Sequence, residues 1–113
     1  MKLYLATTEQ NFRSIQQKGL TAGSLTPELF DFSFMSADQV VVEFEIPAAE
    51  INQKFAEKEV KKVFGYSYEY RLKEGYTVYP NRIVKLVSED EILPYKNFLY
   101  SNLDAFYSRH ESL

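Results

Sequence analysis

The spacing of hydrophobic positions changes several times along the chain, and each change marks an element. Leu3, Tyr4 and Leu5 make a short apolar run that predicts a strand over residues 2–7. Thr7 or Thr8 then offers a capping hydroxyl, Glu9 puts negative charge at the positive end of a helix, and Phe12 and Ile15 share one face. Lys18 and Gly19 predict the stop, with Leu20 folding back onto Ile15.

Residues 21–38 carry Gly23, Pro27 and several Ser, Thr and Asp residues, the composition of a loop. Leu29, Phe30, Phe32, Phe34 and Met35 make it an apolar loop that must pack on something. Its "FDFSFMS" stretch admits a short strand with the three phenylalanines on one face. "QVVVEFEIP" gives the clearest alternation: Val40, Val42, Phe44 and Ile46 against Val41, Glu43 and Glu45, ended by Pro47. Residues 48–62 are rich in Ala, Glu and Lys, with Glu50–Lys54 and Glu57–Lys61 at helical i, i+4 spacing, and predict a helix. At about 100° per residue, however, Val60 falls opposite Ile51, so no single apolar stripe runs through it and a break is expected near Glu57–Glu59.

"YSYEYRLKEGYTVY" alternates Tyr66, Tyr68, Tyr70 and Leu72 against Ser67, Glu69, Arg71 and Lys73, and predicts a hairpin turning at Glu74–Gly75 and returning through Tyr76 and Val78. After Pro80 and Asn81, "RIVKLVS" predicts a last strand. Ser88 with Glu91 spells a capping box, Pro94 suits the first turn of a terminal helix, and Tyr95, Phe98, Leu99, Leu103 and Phe106 form its inner stripe. The order of elements predicts an α+β protein with a mostly antiparallel sheet and two or three helices covering one face or the ends of that sheet. No repeat or linker divides it, and 113 residues suit one compact domain spanning residues 1–113.

Composition narrows the chemistry. Nine Phe and nine Tyr residues supply large apolar surfaces, so the chain folds without metal or disulfide help. The absence of cysteine removes disulfides, thiolate metal sites and cysteine nucleophiles, and fits a reducing compartment. A net charge of −3 argues against a protein that grips nucleic acid by neutralising phosphates, and 16 acidic against 13 basic residues is too balanced for an acidic DNA mimic. No apolar run reaches the length of a membrane span, and "MKLYLATTEQ" lacks a signal peptide's apolar region, so the expected setting is cytoplasmic, with no membrane partner. His110 is the only histidine and lies near the C-terminus, so neither a histidine triad nor a metal site is expected. Gly19, Gly23, Gly65 and Gly75 fit no phosphate-loop spacing.

The remaining candidates are carboxylates and tyrosines. Glu43 and Glu45 share a strand face and read first as a solvent-facing row. Glu69 shares its face with Ser67 and Arg71, either as a solvated Glu–Arg row or as a site residue. Tyr66, Tyr68, Tyr70, Tyr76 and Tyr79 suit packing, a protein interface or stacking on a nucleobase.

Taken together, "LYLATTEQNFRSIQQKGL", "FSFMS", "VVVEFEIP" and "YEYRLKEGYTVYPNRIVKL" resemble the small ADP-ribosyltransferase-like fold over residues 3–87. Members of that group begin with a strand carrying His or Arg, follow it with a helix ending in "GL", and place a glutamate at the head of a late hairpin. The resemblance implies that Glu69 is the glutamate that hydrogen-bonds the nicotinamide-side ribose and stabilises an oxocarbenium-like transition state, where a carboxylate meets developing positive charge. It also implies a ligand-binding set of Tyr4 and Thr7 from "YLAT", Ser33 or Ser36 from the central strand, Tyr66 or Tyr68 stacking on nicotinamide, and Arg71 beside Glu69. Leu5 stands where relatives have the basic residue, and leucine cannot hydrogen-bond ribose or phosphate. The preferred expectation is therefore a non-catalytic binding or interaction module on that scaffold, needing no cofactor and working through a protein partner or as a homo-oligomer. The alternative is a transferase-like enzyme or NAD binder using Glu69, with NAD as substrate, which requires a cleft between the "YLATT" strand and the Glu69 strand. A toxin- or antitoxin-like regulator is a third reading.

Overall fold

The computed structural model describes residues 1–32, 37–62 and 65–101. Their order is β1 (Lys2–Thr8), α1 (Glu9–Lys18), β2 (Ser24–Leu25), a 3-10 turn (Leu29–Phe32), β3 (Gln39–Glu45), α2 (Ala48–Lys54), β4 (Phe55–Lys62), β5 (Gly65–Leu72), a second 3-10 turn (Pro80–Arg82), β6 (Ile83–Val87) and α3 (Glu89–Ser101). The strands form two antiparallel sheets of three, ordered β1-β3-β6 and β2-β5-β4, and the whole is an α+β domain. One residue pair splices the sheets: the Tyr4 N–H donates to the Thr26 carbonyl at 2.8 Å, and the Thr26 N–H donates to the Tyr4 carbonyl at 3.0 Å.

Alternation in β1 and β3 gives the first sheet two buried faces. Leu3, Val42 and Phe44 face α1, whose Phe12 and Ile15 join them in the main core with Leu25, Tyr70 and Leu72 from the second sheet. Tyr4 and Val41 face the other way and pack with Phe32 and with Ile92 of α3. Helices thus lie against both faces of this sheet, which also corrects the expected solvent row: Glu45 is exposed, but Glu43 is only 6% exposed. The wholly apolar neighbour Val41 was the hint that this face is covered.

The helix expected over 48–62 stops at Lys54, and the chain continues as β4. The missing apolar stripe decides this: a helix to residue 62 could not bury Ile51 and Val60 together, whereas a strand pairs all of β4 with β5, from Phe55↔Leu72 to Lys62↔Gly65. Glu69 therefore lies on the second strand of a β4–β5 pair. Beyond the Glu74–Gly75 turn no second strand forms, and only Val78 bridges back, to Leu20. Leu29–Phe32 forms a 3-10 turn in place of the start of a strand, and the rest of "FDFSFMS", Ser33–Ser36, lies outside the described residues. Glu91 accepts from the Ser88 N–H at 2.8 Å, so α3 starts at Glu89 and Pro94 sits inside it, past the first turn. Ile92, 2% exposed, anchors α3, while Tyr95 and Phe98 are 37% and 52% exposed. The expected stripe residues Leu103 and Phe106, and His110, lie outside the described residues.

Two contacts hold the segment that replaces the second half of the expected hairpin. Gly19 ends α1 at φ +85°, and a Cβ there would meet the Val78 carbonyl oxygen at 2.6 Å. Lys54, 9% exposed, donates to Glu50 at 2.9 Å and to the Thr77 carbonyl at 2.9 Å, and lies 4.7 Å from the centre of the Tyr79 ring. The second Glu50 oxygen meets the Arg82 guanidinium. The Lys54 and Arg82 bonds hold the Glu50 carboxyl below its ordinary value of 4.5 against the opposing effect of burial.

Glu50→Gln leaves Lys54 buried without its anion, and should destabilise the protein by about 3 kcal/mol in urea unfolding at neutral pH. Because the folded-state pKa is lowered, the Glu50 contribution is full above pH 4.5 and declines as pH falls through the lowered value. The gap between wild type and variant should close over that interval. Gly19→Ala should cost clearly more than Gly75→Ala: both positions have a positive φ that strains a side chain by about 1–3 kcal/mol, but at Gly75, φ +84°, nothing lies within 4 Å of the added methyl. Equal unfolding midpoints for these two variants would contradict the close packing of α1 on Val78.

Candidate functional site

Where the two sheets are spliced, the strands diverge and leave a cleft. Ser24 and Leu25 pair with Arg71 and Tyr70 of β5, Thr26 pairs with Tyr4 of β1, and at Pro27 the chain turns away. The Thr26 hydroxyl accepts from the Glu28 N–H at 3.2 Å, which fixes that turn. The resulting space, about 350 Å³, is lined by Tyr4 and Ala6 of β1, Ser24 and Thr26 at the splice, Lys62 of β4 and Glu69 of β5, together with Phe32. That is the small end of the range of about 300–1,000 Å³ for small-molecule sites.

Glu69 reaches this cleft because β5 alternates. Tyr70 and Leu72 turn into the main core, so Ser67, Glu69 and Arg71 face the other way. Pairing with β4 places Lys58 directly opposite Glu69, and Lys62 reaches back along the same face to bring its ammonium 3.4 Å from the Glu69 carboxylate. Glu69 keeps 39% of its side-chain surface exposed and Lys62 keeps 24%, so the pair is open to solvent on the cleft side.

Tyr4 ties the cleft to the second face of the first sheet. It sits opposite Glu43 in the β1–β3 ladder, and its hydroxyl donates to the Glu43 carboxylate. Burial first, then the negative charge of Glu43, pushes the Tyr4 phenol above its ordinary value of 10.0. On the other side of β3, in the β3–β6 ladder, Lys85 lies opposite the same Glu43 and pairs with Glu91 of α3 at 2.5 Å.

Of the residues expected to bind ligand, the structure brings Tyr4 and Glu69 to the same cleft. Thr7 is buried and accepts from the Asn11 side chain at 2.6 Å, a contact that secures the start of α1. Tyr66 and Tyr68 project from the opposite face of β5 and are 70% and 46% exposed. Arg71 is exposed beside Ser24, away from the cleft walls. Ser33 and Ser36 lie outside the described residues. Leu5 contributes to the cleft wall, but it packs against the main core and offers the cleft no polar side-chain group. Ser24, Thr26 and Lys62 were missed: the loop reading hid the first two, and Lys62 was assigned to a helix.

Among the described residues no three His, Cys, Asp or Glu side chains group as metal ligands, and no helix is long and apolar enough to cross a membrane. Comparison with models of protein families, with curated proteins and with solved structures returns no match.

Tyr4→Phe leaves the Glu43 carboxylate buried without its donor, and should cost about 2 kcal/mol. Tyr4 carries a raised pKa in the folded state, so this stabilisation is full below pH 10.0 and disappears as pH rises through the raised value. An absorbance titration of the wild type should contain a phenol ionising above 10.0 that the variant lacks.

Proposed function

We propose that the protein is a ligand-binding module on an ADP-ribosyltransferase-like scaffold, and that its cleft takes the nicotinamide–ribose half of NAD without transferring ADP-ribose. The observation that carries this reading is the convergence of Glu69 with Tyr4, Ser24 and Thr26 around one nucleoside-sized space. A carboxylate accepts hydrogen bonds from two ribose hydroxyls, hydroxyl side chains complement the amide of nicotinamide, and the ring of Phe32 offers an apolar wall. Lys62 at the rim supplies a positive charge for the adjoining phosphate.

Leu5 argues for binding without turnover. The scaffold's transferases anchor the far ribose through a basic residue on this strand, and an apolar side chain turned into the core cannot do so. Without that anchor the bond between nicotinamide and ribose is not held against a nucleophile, and proximity contributes less to the barrier. An enzyme remains the second reading, favoured by the position of Glu69 itself, where its charge would stabilise a cationic ribose.

Calorimetric titration with NAD separates the cases. Saturable binding, weakened about tenfold or more by Glu69→Gln and accompanied by no release of nicotinamide, is the expected result. Release of nicotinamide that Glu69→Gln abolishes would establish the enzyme. Absence of binding at millimolar NAD would overturn both readings.

A further inference from the structure

The Glu69 carboxylate does not stand bare in the cleft, because the Lys62 ammonium already engages it. The two residues are not cross-strand partners: Lys58 lies opposite Glu69, and Lys62 pairs with Gly65. Four residues of strand span about 13 Å at about 3.3 Å each, so both side chains have to run toward each other along the hairpin to bring the Lys62 Nζ within 3.4 Å of the Glu69 Oε1. A well-made charge-assisted hydrogen bond measures about 2.7–2.9 Å, the distance at which Lys54 holds Glu50. The Lys62–Glu69 contact is thus a stretched one. Glu69 keeps 39% and Lys62 24% of its side-chain surface exposed, so water can solvate each charge while the pair opens. Lys54, tied at once to Glu50 and to the Thr77 carbonyl, has no such freedom.

A ligand entering the cleft therefore meets an ion pair. A neutral riboside has to displace the ammonium before its hydroxyls reach Glu69, and it gives the displaced lysine no anion in return. A ribose that carries a 5′-phosphate does: Glu69 turns to the hydroxyls as Lys62 turns to the phosphate, and both charges stay matched. We infer that Lys62 is the specificity-determining residue of the cleft, a counter-ion that exchanges between Glu69 and a ligand phosphate, so that the site takes nicotinamide nucleotides and discriminates against the unphosphorylated riboside. This rests on the NAD reading of the cleft and adds to it the reason the ligand has to be phosphorylated.

Nicotinamide riboside and its 5′-phosphate share the half of NAD assigned to the cleft and differ only by the group that Lys62 meets, so calorimetric titration of both tests the exchange. Wild type should bind the 5′-phosphate about tenfold or more tighter than the riboside, as one contact between charged groups supplies. Lys62→Met should weaken the 5′-phosphate and tighten the riboside by about twofold to fivefold, since a partly exposed pair no longer opposes riboside entry. A residue that only supports the cleft would lower both affinities together. Lys58→Met removes the exposed charge directly opposite Glu69 but outside the cleft lining, and should leave both affinities at wild-type values, with thermal melts showing that both variants stay folded. A wild type that binds the two compounds equally, a Lys62→Met protein with both affinities lowered or both unchanged, or the same opposite shifts in Lys58→Met would overturn the role of Lys62 and leave the cleft as an NAD site. Failure of wild type to bind either compound would overturn the NAD reading, and the role of Lys62 with it.

Discussion

Two backbone hydrogen bonds between Tyr4 and Thr26 decide the shape of the molecule. β1 pairs along its whole length with β3 on one side; on its other side it makes a single exchange with Thr26. Buried backbone groups must find partners, and this exchange satisfies both polar groups of Tyr4 while limiting the backbone pairing of β1 on this side to one position. Had the ladder continued, β1 and β2 would have closed into one sheet and no cleft would exist. The chain turns at Pro27, and the Glu28 N–H, which would carry the ladder on, donates instead to the Thr26 hydroxyl. The same stretch carries the chain on to Phe32, which lines the cleft and packs with Val41 and Ile92.

Charge is distributed to serve this frame. Glu50, Lys54 and Arg82 stitch α2 to the irregular segment around Thr77 and Tyr79, a region that has no ladder of its own. Glu43 is buried between Tyr4 and Lys85, which gives the face under α3 a polar row in an otherwise apolar layer. Glu69 and Lys62, in contrast, remain partly solvated at the cleft. Lys54 and Thr7 are thus buried with set partners, whereas the Glu69–Lys62 pair keeps side-chain surface open at the cleft.

Sequence patterns spoke clearly where one period covered a whole element. β1, α1, β3 and β6 were legible because apolar spacing or capping specified them locally: the Thr8 cap accepting from the Asn11 N–H, Gly19 at positive φ, and Val40, Val42, Phe44 and Ile46 recurring at every second position. β4 was not legible, because Glu57–Lys61 satisfies helical spacing as well as it satisfies an exposed strand, and only pairing with β5 decides between them. The site followed the same rule. Glu69 and Tyr4, which line one cleft, lie on strands legible from their spacing, whereas Ser24 and Thr26 sit in a two-residue strand and a single bridge whose existence depends on partners distant in sequence. Glu43 looked solvated because the helix that covers it arrives 46 residues later, at Glu89.

The central claim is that the splice of the two sheets creates a ligand site. Amide resonances followed during titration with NAD test it most directly, because they report location as well as binding. The account predicts shifts concentrated at Tyr4–Ala6, Ser24–Thr26, Lys62 and Glu69, with Tyr66, Tyr68 and the β6 edge unmoved. Saturable shifts centred on those tyrosines or on β6, with the cleft silent, would contradict it.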